Sequence, residues 1–296
     1  MHNPAPKAQF TTTPSVNGQA HKPRLRLVYV WPNLFTAANM FMGLLAIYWV
    51  IDEAQGLLQD RLEWACWFIL IGGFFDMFDG AIARLTHTQS EFGVQFDSLS
   101  DLVTFGVAPS VAAFYLMQGM GIEHRRVVIC ICALFCICSA LRLARYNVQV
   151  KGPERRGFIG LPTPGAALAI TFLVLLIRRY DLNMSETVLF SLGESKLLLK
   201  NLVVFFMPVV VLGIALLMVS EVPYPKLSEH LRIKRRMSFD TLVYLIVFVL
   251  ILMALKSELR VVTAFLMIYA YILYGLTVYL MQLAKARREK ALLPHA

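Results

Sequence analysis

Charge is what this sequence has least of. Asp, Glu, Lys and Arg make up only 16% of its 296 residues, against 58% hydrophobic. That is too little charge for a soluble domain of this length. A charge-rich stretch that would mark a second, soluble domain is lacking, as are internal repeats and low-complexity tracts. Cysteine is scarce, with five in the chain. Cys130, Cys132, Cys136 and Cys138 superficially suggest a metal site, but C-x-C-x3-C-x-C spacing spreads thiols around a helix. They read as small apolar side chains. A secretory leader is also lacking from the reading: residues 1–22 are polar, the basic group comes late, and the following apolar run has no small-residue cleavage site.

What is present is a series of apolar runs, each about 17–25 residues long, the length that crosses a ~30 Å hydrocarbon core. About eight can be placed, at roughly 31–51, 62–84, 97–118, 127–146, 162–178, 201–220, 239–255 and 259–281. The fold class expected is therefore all-α, a polytopic membrane helix bundle of about eight transmembrane helices. Residues 1–26 are expected to be a disordered tail, 27–282 the membrane domain, and 283–296 a basic tail.

The net charge of +9 does not point to nucleic acid, because its distribution follows the membrane. With both termini on one side, that side carries 19 of the 28 Lys and Arg. The positive-inside rule then puts both termini in the cytoplasm. The "EHRR" stretch (123–126) and Arg178–Arg179 fit poorly, since both fall outside. Arg24, Arg26 and Trp31 suit an interfacial position against headgroups.

The chemistry concentrates in "DMFDGAIARLTHTQSEFGVQFDSLSD", residues 76–101. Carboxylates in a membrane segment are costly and mark function by default. Counted from Leu62 at ~1.5 Å per residue, Asp76 lies ~21 Å along its helix, near the cytoplasmic surface. Asp76, Asp79, Gly80, Ala83 and Arg84 follow one helical stripe; Gly93, Asp97 and Asp101 follow another on the returning helix. Two facing acidic stripes repel, by about 4 kcal/mol per pair at ~4 Å and an effective dielectric of ~20. A divalent cation resolves this, and an all-oxygen set suits Mg²⁺ or Mn²⁺. Gly80 and Ala83 leave room for a ligand, and Arg84 offers a cation to phosphate. The alternatives are helix-holding ion pairs with Arg84 or a cation pathway in a transporter. A transporter should show midplane charge and broken helices in matching halves. Here the acids gather at one end and no halves match.

The pattern Asp76-x2-Asp79-Gly80-x2-Ala83-Arg84-x8-Gly93-x3-Asp97-x3-Asp101 resembles the signature of the CDP-alcohol phosphotransferase family. The resemblance implies that family's membrane fold over 27–282, a CDP-linked lipid donor, an alcohol acceptor and CMP as leaving group. It assigns Asp76, Asp79, Asp97 and Asp101 to one or two divalent ions, with Asp101 also taking the proton of the acceptor hydroxyl. It assigns Asn33, Thr36, Gly80, Ala83, Arg84 and Ser90 to the CDP-diacylglycerol side, although Asn33 and Thr36 also suit simple helix capping.

"WPNLFTAANMFMGLLAI" (31–47), "SALRLARYNV" (139–148), "GFIGLPTPGAA" (157–167) and "LMVSEVPYP" (216–225) resemble the integral-membrane phosphatidylserine synthase branch. That implies L-serine as acceptor, a homodimer, and a bacterial cytoplasmic (inner) membrane with the site facing the cytoplasm. Arg142, Arg145 and Asn147 are the acceptor-side candidates, since arginines suit a carboxylate. Glycerol phosphate would also welcome arginines, a choline site should show an aromatic cage, and inositol has no carboxylate. Thr163 and Gly165 stand where serine and alanine are expected in this branch.

Overall fold

A computed structural model describes residues 30–86, 90–122, 124–150, 160–179, 188–192, 195–222, 224 and 257–292. Helix α1 spans Val30–Ile51 and α2 spans Leu58–Thr86. The tight link between them is a short 3₁₀ turn, Glu53–Gln55, capped by Asp52, whose Oδ1 accepts from Ala54 N at 3.0 Å. Gly56 closes that turn at φ +100°, a conformation that favours glycine. Helix α3 runs Glu91–Gly119, α4 Arg125–Val150, α5 Thr163–Arg179, α6 Leu199–Val219 and α7 Ser257–Leu292. A two-stranded antiparallel hairpin, β1 (Val188–Leu192) and β2 (Ser195–Leu198), precedes α6.

Seven of the expected apolar runs are thus helices; the eighth, 239–255, lies outside the described residues, as does the tail 1–26. Among the described residues, five stretches are long and apolar enough to cross a membrane: Asn33–Ile51, Glu91–Gly119, Arg125–Val148, Leu202–Val219 and Leu259–Lys285. Helix α2 has the length but carries more charge, and α5 has 17 residues. The chain is a polytopic helical membrane protein, with the short hairpin as an addition the sequence reading did not contain. Helix α7 also runs on to Leu292, so the basic segment after 282 begins as its last turns.

Helices α1 and α2 form an antiparallel pair onto which α3 packs; α5 lies against α2, α3 and α7, and α4 joins α3 to α6. Among the larger apolar side chains of the core stand many small ones, including Ala46, Ala65, Cys66, Ala108, Ala112, Ala113, Ala166, Ala169 and Ala215. In a bilayer the hydrophobic effect does not drive helix against helix, so close backbone approach has to supply the attraction. The outward faces are apolar too: Phe41, Tyr48, Trp64, Ile137, Leu216 and Leu273 are all exposed. On a soluble protein such surface would aggregate, whereas lipid solvates it. The five cysteines are free, and those of α4 range from buried Cys132 and Cys138 to exposed Cys130, in keeping with packing rather than ligation.

One junction fixes how α1, α2 and α3 meet. A Cβ on Gly43 would lie 2.5 Å from Thr104 Oγ1 and 2.8 Å from Thr104 Cα; one on Gly72 would lie 2.7 Å from Thr104 Cγ2. Thr104 is fully buried and donates to Asn39 O at 2.9 Å. It sits in a π-helical turn, Leu102–Val107, that interrupts α3 just after Asp101. Such turns gather at functional sites.

Gly43→Ala therefore forces α1 away from α3. The expected loss is about 1–3 kcal/mol, the usual cost of overpacking, read as a lower Tm in detergent. An unchanged Tm would show that the junction yields.

Candidate active site

The C-terminal turns of α2 and the N-terminal half of α3 build the acidic centre. Ser90 starts α3 by accepting from Gly93 N through Oγ at 2.9 Å, so the helix begins at Glu91, about two turns before Asp97. Asp76, Asp97 and Asp101 each present a carboxylate oxygen, and these oxygens lie within 4.8 Å of one another. Asp76 and Asp101 come within hydrogen-bonding range. Asp97 Oδ1 is buried with no hydrogen-bond partner.

Asp79 is not one of the three that converge. Three residues on from Asp76 is one turn further along the axis, and there Asp79 is buried and accepts from Thr36 Oγ1 at 2.8 Å. It remains close enough for its charge to act on Asp101. Helix α1 lines the other side. Asn39, fully buried, donates from Nδ2 to Asp101 Oδ1 at 3.4 Å, and Ser100 donates to Thr36 O at 3.0 Å. Asn33 reaches the start of α3, where a Cβ on Gly93 would sit 3.3 Å from its Oδ1 and 3.1 Å from Ser90 Oγ.

Of the residues expected on the donor side, Thr36 thus contacts Asp79, while Asn33 and Ser90 meet beside Gly93 at the start of α3. Gly80, Ala83 and Arg84 continue the helix that carries Asp76 and Asp79, and their side chains lie outside the described residues.

The acceptor-side candidates part company. Arg142 is buried, donates to Thr163 Oγ1 at 2.6 Å, and interacts electrostatically with Asp101. Arg145, one turn on, is exposed and reaches Val219 O at 3.4 Å. Asn147 donates to Ser98 Oγ at 2.9 Å, tying α4 to α3. Thr163 keeps the hydroxyl a serine would offer Arg142. Gly165 has open space, with the nearest atom to an added Cβ 3.8 Å away, so an alanine would fit there.

Residues 29–195 match the family model described as CDP-alcohol phosphatidyltransferase. The chain belongs to that family. Among curated relatives, a CDP-diacylglycerol–serine O-phosphatidyltransferase of Helicobacter pylori is 31% identical over 87% of this chain and 94% of its own length. The Bacillus subtilis protein of the same name is 34% identical over 67% of this chain and 92% of its own. A Methanocaldococcus jannaschii relative, again of that name, is 32% identical over 68% and 77%.

The region matched to the CDP-alcohol phosphatidyltransferase family contains all four aspartates. Asn39, Ser100 and Thr104 were missed by sequence reasoning. Their one signal is a polar side chain within an apolar run, spaced three residues from Thr36 in the case of Asn39.

Three carboxylates around one point, with an orphaned buried oxygen among them, fit a divalent cation held by hard oxygen donors. Among the described residues no other group of acids, cysteines or histidines converges in this way. Mn²⁺ at a hundredfold excess over its Kd should stabilise the folded protein by about 2.7 kcal/mol. That appears as a raised Tm in detergent, and Asp97→Asn should remove the increase. A Tm indifferent to Mn²⁺ and Mg²⁺ would count against the cation.

Proposed function

We propose that the protein transfers the phosphatidyl group of CDP-diacylglycerol to the hydroxyl of L-serine, giving phosphatidylserine and CMP. The observation that carries this is the convergence of Asp76, Asp97 and Asp101, oxygens within 4.8 Å of one another, with buried Arg142 acting on Asp101, in a chain similar over most of its length to curated serine O-phosphatidyltransferases.

Asp76, Asp79, Asp97 and Asp101 would hold Mg²⁺ or Mn²⁺. When bound, the cation supplies neutralisation of the donor diphosphate and of the charge that builds on the departing CMP. Asn39, through its bond to Asp101, holds that carboxylate toward the centre. Asp101 takes the serine hydroxyl proton, and the freed oxygen attacks the phosphorus that carries diacylglycerol. A new phosphorus–oxygen bond forms as the bond to CMP breaks, and CMP leaves with its phosphate. Positioning and electrostatics account for most of the acceleration in such transfers.

On the donor side, Asn33, Thr36, Gly80, Ala83, Arg84 and Ser90 contact the CDP moiety. Ser90 also caps α3, and Thr36 also holds Asp79, so each does two jobs. On the acceptor side, Arg142 is the principal partner of the serine carboxylate, because it is buried and near Asp101, while Arg145 is exposed. Asn147 supports the site through Ser98. The enzyme works as a homodimer in a bacterial cytoplasmic membrane, with its site and both termini facing the cytoplasm, as the distribution of Lys and Arg favours.

The test is CMP release by purified protein from CDP-diacylglycerol, with serine, inositol, choline and glycerol 3-phosphate offered separately. Release should depend on a divalent cation and be greatest with serine. Preference for another alcohol would move the assignment within the family. Cation flux in vesicles without any CMP release would replace the enzyme by a transporter.

Asp79→Asn should keep less than about a tenth of wild-type turnover, since losing a site carboxylate costs at least ~1.4 kcal/mol of barrier. Arg142→Lys should raise the KM for serine and spare that for CDP-diacylglycerol, because a point charge replaces a two-pronged donor. A donor KM that rises while the serine KM holds would place Arg142 on the donor instead.

A further inference from the structure

The end of the bundle opposite the acidic centre carries a cavity of its own. It measures about 100 Å³ and is lined by Glu63, Trp67, Leu175, Arg179, Arg260 and Val261, from α2, α5 and α7. One water needs only about 10–15 Å³ of such space, so the cavity takes a larger group. Glu63 precedes Asp76 on α2 and Arg179 follows Thr163 on α5, each by several turns. The cavity therefore lies roughly 20–24 Å from the acids and Thr163 along the helix axes.

Its lining grades from core to surface. Leu175 is buried, Glu63, Arg260 and Val261 are half-buried, and Trp67 and Arg179 are exposed. Two arginines against one glutamate leave the wall positive. Arg260 Nε is buried and has no hydrogen-bond partner among the described residues. A buried guanidinium nitrogen of this kind calls for an acceptor, and phosphate oxygens match the planar fork. Arg260 also stands in the first turn of α7, where unpaired backbone N–H groups and the helix dipole favour an anion.

The surroundings select a lipid over a free ion. Trp49, Trp64 and Trp67, three of the chain's four tryptophans, gather at this end. Trp49 and Trp64 lie 6.4 Å apart between ring centroids, and Trp67 is one turn from Trp64 on α2. Tryptophan marks the level of the headgroups. Leu175, Val261 and Trp67 set apolar surface beside the charges, as the glycerol and acyl part of a lipid requires. Arg178 and Arg179 also depart from the positive-inside distribution, and a bound anion gives such charges a local reason. Basic pockets between transmembrane helices suit acidic headgroups.

We propose that this cavity is a second lipid site, which holds the phosphate of an anionic phospholipid between Arg179 and Arg260 at the membrane surface away from the acidic centre. It is independent of the reaction proposed above.

The experiment is native mass spectrometry of the full-length protein in detergent, titrated with phosphatidylglycerol or phosphatidylcholine, with the Tm of each variant measured alongside. EDTA is present throughout, so that the acidic centre holds no cation and repels phosphate. Arg260→Gln should weaken phosphatidylglycerol binding about tenfold, as for loss of a hydrogen bond to a charged group. Arg179→Gln should weaken it likewise and, being at an exposed position, carries the comparison even where Arg260→Gln unfolds. Arg125→Gln removes an equal charge from the exposed start of α4, at the same end but outside the cavity, and should stay within about twofold. Phosphatidylcholine should bind more weakly than phosphatidylglycerol, and inorganic phosphate at matched ionic strength should not displace the lipid. An affinity within twofold of wild type in either folded cavity variant would overturn the proposal. So would an equal loss in Arg125→Gln, equal binding of the two lipids, or displacement by inorganic phosphate, which would make this a free-anion site.

Discussion

Like charges held together in an apolar bundle are the constraint on which the rest of the molecule depends. Carboxylate oxygens of Asp76, Asp97 and Asp101 converge within 4.8 Å, from two helices that would separate if the acids alone decided. They are kept in place by an apolar junction deeper in the bundle, where Gly43 and Gly72 receive Thr104 with no room for a Cβ. Side-chain hydrogen bonds then pin the backbone close to the acids: Thr104 to Asn39 O and Ser100 to Thr36 O. The site is thus preorganised by packing, and its electrostatic cost is offset by close contact several residues away. In lipid this division of labour is forced, since small residues let helices approach where the hydrophobic effect cannot draw them together.

The two halves of the reaction centre are built differently. On the α1–α2–α3 side the acids are held by short side chains on a helix: Thr36 donates to Asp79 and Asn39 to Asp101, while Ser100 ties α3 to the Thr36 carbonyl. Such groups have few rotamers and hold position well. On the α4–α5 side the polar contact is made by a long arginine, Arg142, steadied by the hydroxyl of Thr163 at the first position of α5. A rigid half suits a donor diphosphate whose geometry must be fixed for in-line attack. Under the proposed assignment, a longer, adjustable half suits the smaller acceptor.

Much of this was legible in the residues. The aspartates announce themselves, because carboxylates at helical spacing after an apolar run have few structural uses. The helices were legible from length alone, since a span that crosses lipid must be long and unbroken. What was not legible has a common physical character. Asn39, Ser100 and Thr104 act through backbone carbonyls or single contacts, which leave no periodicity in a sequence. The convergence of Asp76, Asp97 and Asp101 without Asp79 depends on the relative rotation of α2 and α3, which spacing within each helix does not determine. The β1–β2 hairpin is too short for its alternation to stand out, and the hydrogen bond from Gly160 N to Val222 O joins segments about sixty residues apart.

The π-helical turn at Leu102–Val107 has a consequence for how this helix can vary. A π turn holds one residue more than the α-helical turn it replaces, so the two halves of α3 keep separate angular phases. The first half aims Asp97 and Asp101 at α2, while the second aims Ala108, Ala112 and Ala113 into the core. Deleting a single residue between 102 and 107 would restore a uniform helix and rotate one half against the other by about 100°. Either the acids or the core would then face lipid. A pair of substitutions elsewhere could repair a lost contact, but none could restore this phase. The length of that short segment is therefore a stricter requirement than the identity of most residues in it.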